Sequence, residues 1–205
     1  MDAPNRRAWM LGLLLLLPAV VVHAEETFTD SLEMTFVDNG KINIKLTAGE
    51  HRISRSDDDQ IRISWRVEDE DIGEVDTETL VDGSSAKIDI DGPRENFRTV
   101  IEVPGRSDLV VRLSAGELDI EHIEGNKDIQ LRAGELRIEV GGTDEYAQVN
   151  GSLWAGEIDA GPFNQEKSGL FRSIEWEGEG DHKLRFKLYA GEVTLSQAQN
   201  KRHEC

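Results

Sequence analysis

Apolar and polar residues alternate with period two along most of this chain, and the alternation slips at one short phrase five times. In Ile129-Gln-Leu-Arg-Ala-Gly-Glu-Leu-Arg-Ile-Glu-Val140, Ile129, Leu131 and Ala133 alternate with Gln130 and Arg132. Beyond the slip, Leu136, Ile138 and Val140 alternate with Arg137 and Glu139. Each half has the pattern of a half-buried strand. The slip, read at Gly134-Glu135, predicts a corner or bulge. The phrase is Leu-x-Ala-Gly-Glu-φ, with φ apolar in four copies and His51 in the first. Its copies begin at Leu46, Leu113, Leu131, Leu153 and Leu188, so the corner glycines are Gly49, Gly116, Gly134, Gly156 and Gly191. A glycine there is expected to take φ > 0, which costs other residues about 1–2 kcal/mol. The small Ala ahead of it is expected to point inward at a tight bend.

The corner glycines are spaced by 67, 18, 22 and 35 residues. A unit of about 20 residues that stacks on its neighbours lies in the solenoid range. The predicted fold is all-β: a single-stranded β-solenoid or β-helix-like stack of short strands with an N-terminal β cap. Its inward rows are predicted as Leu113/Leu131/Leu153/Leu188, Ala115/Ala133/Ala155/Ala190, Leu118/Leu136/Ile158/Val193 and Ile120/Ile138/Ala160/Leu195. A sandwich of hairpins explains the alternation but not five identical corners. The predicted organisation is a signal peptide over 1–24, an N-terminal β region or cap over 25–105, repeated coils over 106–197 with an insertion at 161–181, and a polar tail over 198–205. Strands are predicted at 41–46, 61–67, 86–90 and 98–103. Glu68 to Glu78 is read as an exposed acidic loop, and no helical pattern is found after residue 24.

The early Gly40-Lys-Ile-Asn-Ile44, the strand end Ile101-Glu-Val-Pro104 and the successive Gly-Glu-φ-x-φ coils resemble the bacterial putative-adhesin β-helix family. The resemblance covers residues 36 to 196. It implies an exported protein of solenoid-like fold and supplies no catalytic residues. Many members have Gly-Asp where this chain has Gly-Glu, and a Ser or Thr where it has Ala.

Charge and termini sharpen this picture. Met1 to Ala24 combines Arg6-Arg7, a short apolar stretch and Val22-x-Ala24, the pattern of a signal peptide. Twin-arginine export is one route that Arg6-Arg7 suggests. Export to the periplasm, cell surface or medium is therefore expected, with no membrane span after cleavage. The full chain of 205 residues has a formal net charge of −18. Removing residues 1–24 takes away two arginines and one aspartate and leaves 21 basic against 40 acidic residues. Such a balance argues against nucleic acid and against anionic lipid surfaces as partners. The single Cys205 ends the chain, so no internal disulfide is expected.

Two constellations are candidates for binding. The outward residue between Leu and Ala is Thr47, Ser114, Arg132, Trp154 or Tyr189. Trp154 and Tyr189 are expected on one face with Arg132 one coil away, an arrangement suited to a sugar ring or a protein partner. The insertion at 161–181, with Phe171 and Trp176, is expected to cover these rings, because exposed aromatic patches are uncommon. The second constellation is the corner glutamates. Glu117, Glu135, Glu157 and Glu192, stacked about 5 Å apart, repel by about 0.8 kcal/mol per pair in water. A half-buried row would call for a cation such as Ca²⁺; a solvated row is expected instead, with no metal and no cofactor assigned. His51, His122, His182 and His203 are scattered without ligand spacing, and no Gly-x-Ser-x-Gly elbow occurs. The functional expectation is an exported, non-catalytic cell-envelope protein for binding or scaffolding, acting through a repetitive surface, with an envelope protein or a polysaccharide as partner. The alternatives are a carbohydrate-active enzyme on a β-helix and a self-assembling structural protein.

Overall fold

The structure, a computed structural model, describes residues 28, 30–67 and 74–198. The segment read as a signal peptide, the first half of the stretch read as an acidic loop, and residues 199–205 of the predicted tail lie outside the described residues. The rest is all-β: one mixed, eleven-stranded sheet that does not close on itself. The strands are β1 (Asp30–Thr35), β2 (Gly40–Ser56), β3 (Gln60–Arg66), β4 (Asp76–Asp82), β5 (Ser85–Asp91), β6 (Arg98–Pro104), β7 (Ser107–Ile120), β8 (Lys127–Val140), β9 (Tyr146–Ala160), β10 (Gln165–Glu177) and β11 (His182–Gln197). Their order is β1-β3-β6-β2-β7-β8-β11-β9-β10, with β5 also paired to β2 and β4 paired to β5.

Each phrase lies inside one long strand bent at its glycine. The five bent strands β2, β7, β8, β11 and β9 run parallel and in register, glycine against glycine. The carbonyl of one corner fills the space beside the next. A Cβ on Gly134 would sit 1.9 Å from the Gly116 oxygen, and one on Gly191 would sit 1.8 Å from the Gly134 oxygen. With φ of +127° at Gly134 as well, both sterics and backbone demand glycine.

Before each corner lies a first arm and after it a second, and both turn apolar residues to one core. Leu46, Leu113, Leu131, Leu188 and Leu153 are buried on the first arms; Leu118, Leu136, Val193 and Ile158 are buried on the second. The alanines depart from expectation. Ala133 is exposed and Ala48, Ala115, Ala155 and Ala190 are half-buried. The phase therefore slips at Ala-Gly rather than at Gly-Glu, and the alanines flank the bend outside the core.

The stacking order also departs from chain order. β11 lies between β8 and β9, so the rows run 113, 131, 188, 153. At the other end β2 lies between β7 and the pair β5 and β6. Part of the acidic stretch becomes strand: Asp76 to Glu78 open β4, which pairs antiparallel with β5. Much of the 161–181 segment is β10, an antiparallel edge strand on β9.

Candidate binding face

The bend at each glycine gives the sheet two outward surfaces, and the repeat sorts charge between them. On the first arms the outward positions hold Lys41, Lys45, Arg112, Arg132, Lys183, Arg185 and Lys187, against Asp108 and Asp128. On the second arms they hold Glu50, Glu117, Asp119, Glu135, Glu139, Glu157, Asp159 and Glu192, against Arg52, Arg55 and Arg137. The glycine column is the border between a basic and an acidic surface. A net charge of −18 hides this division, because it sums charges without locating them.

Aromatic rings stand at one end of the basic surface. Trp154 and Tyr189, neighbours across the β9–β11 ladder, stack with centroids 4.7 Å apart and planes 6° apart. Phe171 adds an edge-to-face contact to Trp154 at 5.7 Å. The expected cover is absent: Phe171 is 73% exposed, Tyr189 57% and Trp154 41%. Trp176 packs elsewhere, against Phe163 at 5.0 Å. The 161–181 segment therefore lengthens the aromatic strip, because β10 follows the bend of β9 with Gly169 opposite Gly156. Phe171 takes φ of +53° in doing so, a strained conformation for a bulky aromatic that costs about 1–2 kcal/mol. Strain of that kind concentrates at working surfaces.

Arg132 lies on β8, the strand on the far side of Tyr189 from Trp154. Lys45, Ser114 and Tyr189 line a groove of about 760 Å³ together with Arg112, Gln130, Arg132 and Lys187. Sequence reading singled out Arg132 but passed over Lys45, Arg112 and Lys187. The signal was present: Lys45-Leu-Thr, Arg112-Leu-Ser and Lys187-Leu-Tyr put a cation two residues before the outward position in three of five copies.

The corner glutamates sit on the acidic side of the border. Arg137 Nη1 donates to Glu117 at 3.2 Å and to Asp119 at 3.3 Å, and its other amino group bonds Glu135. Glu50 pairs with Arg98 at 2.7 Å. In the stack Glu192 lies between Glu135 and Glu157. No group of three or more metal-type ligands occurs among the described residues.

His51 occupies the φ position that is apolar in the other copies. It is buried, 2.7 Å from the Thr99 hydroxyl through Nδ1, and its Nε2 has no partner. Burial pushes its pKa down from 6.5 to about 4, so it fills the row as a neutral ring.

No helix of the described residues is long and apolar enough to cross a membrane, which says nothing of crossing by strands. No protein-family model and no curated protein matches the chain. Among solved structures the chain is similar to a putative cell adhesion protein from Clostridium sporogenes, at 12% identity, covering 82% of this chain and 99% of that one with a TM-score of 0.49. It is also similar to a putative adhesin from Bacteroides fragilis, at 10% identity over 83% and 98% of the two chains with a TM-score of 0.31. A putative adhesin from Parabacteroides distasonis matches at 13% identity over 81% and 69%, with a TM-score of 0.26.

Proposed function

We propose that this chain is an exported, non-catalytic binding protein of the adhesin type, built as a short β-solenoid with an N-terminal β cap. Its working surface is the outward side of the first arms, with Tyr189, Trp154 and Arg132 as the contact residues and Phe171 beside them. The partner is a component of the cell envelope, a polysaccharide or a protein. The single observation that carries this reading is the stacked, exposed aromatic group at the edge of a basic surface. Large exposed apolar groups that cluster mark interaction sites far more often than scattered ones do. The strain at Phe171 points the same way, since an ordinary edge strand gains nothing from holding a bulky ring at positive φ. A hydrolytic reading would need paired carboxylates beside the rings, whereas the corner glutamates lie across the glycine column.

The test is affinity capture from envelope extract, resolved into polysaccharide and protein fractions, with the purified protein beside a Trp154→Ala/Tyr189→Ala double variant. The expected result is a component retained by the wild type and lost by the variant. A Phe171→Gly variant is expected to bind more weakly while keeping or raising the melting temperature, because the glycine relieves the positive φ. Equal recovery by wild type and double variant would move the site off this face.

A further inference from the structure

We propose that the groove beside Tyr189 is a subsite for an acidic polysaccharide, with the ligand's carboxylates or sulfates paired to Lys45, Arg112, Arg132 and Lys187 and a sugar ring laid on the open face of Tyr189. The inference rests on the binding-face reading above and gives it a ligand class.

The cations carry the first part of the argument. Lys45, Arg132 and Lys187 have no ion-pair partner among the described residues, while Arg112 is held by Asp128 at 3.0 Å. A chain with 41 acidic residues has carboxylates in excess, yet it places most of those of the bent strands across the glycine column. The groove therefore keeps a positive local field inside an acidic protein. That field attracts the acidic groups of a short stretch of polysaccharide, while the net negative remainder of the molecule repels a polymer as densely charged as a nucleic acid.

The second part is shape. Trp154 stacks on one face of the Tyr189 ring. The opposite face looks along the stack toward Arg132 and forms a wall of the groove. A flat hydrophobic face next to fixed cations suits a ligand that carries ring C–H surface and anionic groups in the same repeat unit. The lining comes from β2, β7, β8 and β11 in turn, which suits an extended chain lying across these strands.

The test is titration calorimetry of the purified protein with three probes: oligogalacturonate, dextran of matched length and polyglutamate. Oligogalacturonate is expected to bind, with affinity falling about tenfold between 50 and 300 mM NaCl. Arg132→Ala/Lys187→Ala and Tyr189→Ala are each expected to weaken it about tenfold at unchanged melting temperature, and Glu117→Gln/Glu192→Gln to leave it intact or tighten it slightly. Dextran binding as tightly, without salt dependence, would overturn the acidic class while leaving the binding face in place. Polyglutamate binding as tightly would show that no sugar ring is read and would overturn the assignment. A self-associated species in sedimentation that Arg132→Ala/Lys187→Ala dissolves would assign the groove to the acidic face of a second copy instead. No binding of oligogalacturonate also overturns the inference; envelope capture that still distinguishes Trp154→Ala/Tyr189→Ala from wild type would then keep the wider reading alive, and equal capture would end both.

Discussion

At the scale of single residues, two corner positions decide how the repeat behaves. Gly134 combines φ of +127° with a neighbouring carbonyl 1.9 Å from where a Cβ would sit. Gly134→Val is expected to cost well more than the ~1–3 kcal/mol that backbone strain alone imposes, because the stacked strands must also separate. Gly83 makes the control: its φ is +57° and no atom lies within 4 Å of a Cβ built there, so Gly83→Ala is expected to cost only about 1–2 kcal/mol. Chemical denaturation of both variants checks this; similar losses would mean that the carbonyl contact is unimportant. His51 makes the second case. Burial holds its folded pKa at about 4, below the ordinary histidine value of 6.5, so the unfolded state binds the proton more readily. Its contribution is whole above pH 6.5 and is lost as pH falls through 4, at up to about 1.4 kcal/mol per pH unit. The wild type is expected to lose denaturant midpoint between pH 6.5 and 4.5 more steeply than His51→Leu, and parallel profiles would remove His51 as the cause.

At the scale of elements, pairing is uneven. β11 is hydrogen-bonded along nearly its whole length to β8 on one side and β9 on the other. β1, β4 and β10 each pair with a single neighbour and are largely exposed. Protection from exchange follows cooperative burial and pairing. The central amides of β11, at Leu188 and Val193, are therefore expected to exchange slowest, and those of β1 and β4 fastest, in a hydrogen-exchange experiment. Rapid exchange through β11 would mean that the β9–β10 hairpin does not hold it against β8. The same pairing shows why β10 can carry Phe171 at positive φ: an edge strand bends alone, without breaking a ladder on its outer side.

At the scale of the whole molecule, electrostatics works against the fold on one surface. Outward acids of neighbouring strands on the second arms stand about 5 Å apart and repel by about 0.8 kcal/mol per pair in water. Arg137 and Arg98 relieve only some of them. Raising NaCl from 10 to 200 mM is expected to raise the melting temperature, since screening weakens repulsion across a chain of net charge −18. A fall would show that the surface ion pairs outweigh the repulsion.

Much of the fold was legible because a corner that excludes every side chain writes itself as glycine at each turn. Five glycines, the flanking leucines and the period-two arms determined parallel bent strands, their register and most of their core. Even the basic outward positions before the glycine and the acidic ones after it were there to read. The tertiary structure alone decided the order of stacking, because strands with the same pattern are interchangeable and nothing local says that β11 enters between β8 and β9. It also decided which side of the bend the alanines take, since a small apolar residue fits either environment. β4 and β10 escaped notice because edge strands this exposed need not alternate: β4 buries no residue and β10 only Ile174. The aromatic strip was legible in part: the repeat put Trp154 and Tyr189 on one face as neighbours, while only the packed sheet set Arg132 beside Tyr189, through the insertion of β11, and Phe171 against Trp154, through the bend of β10.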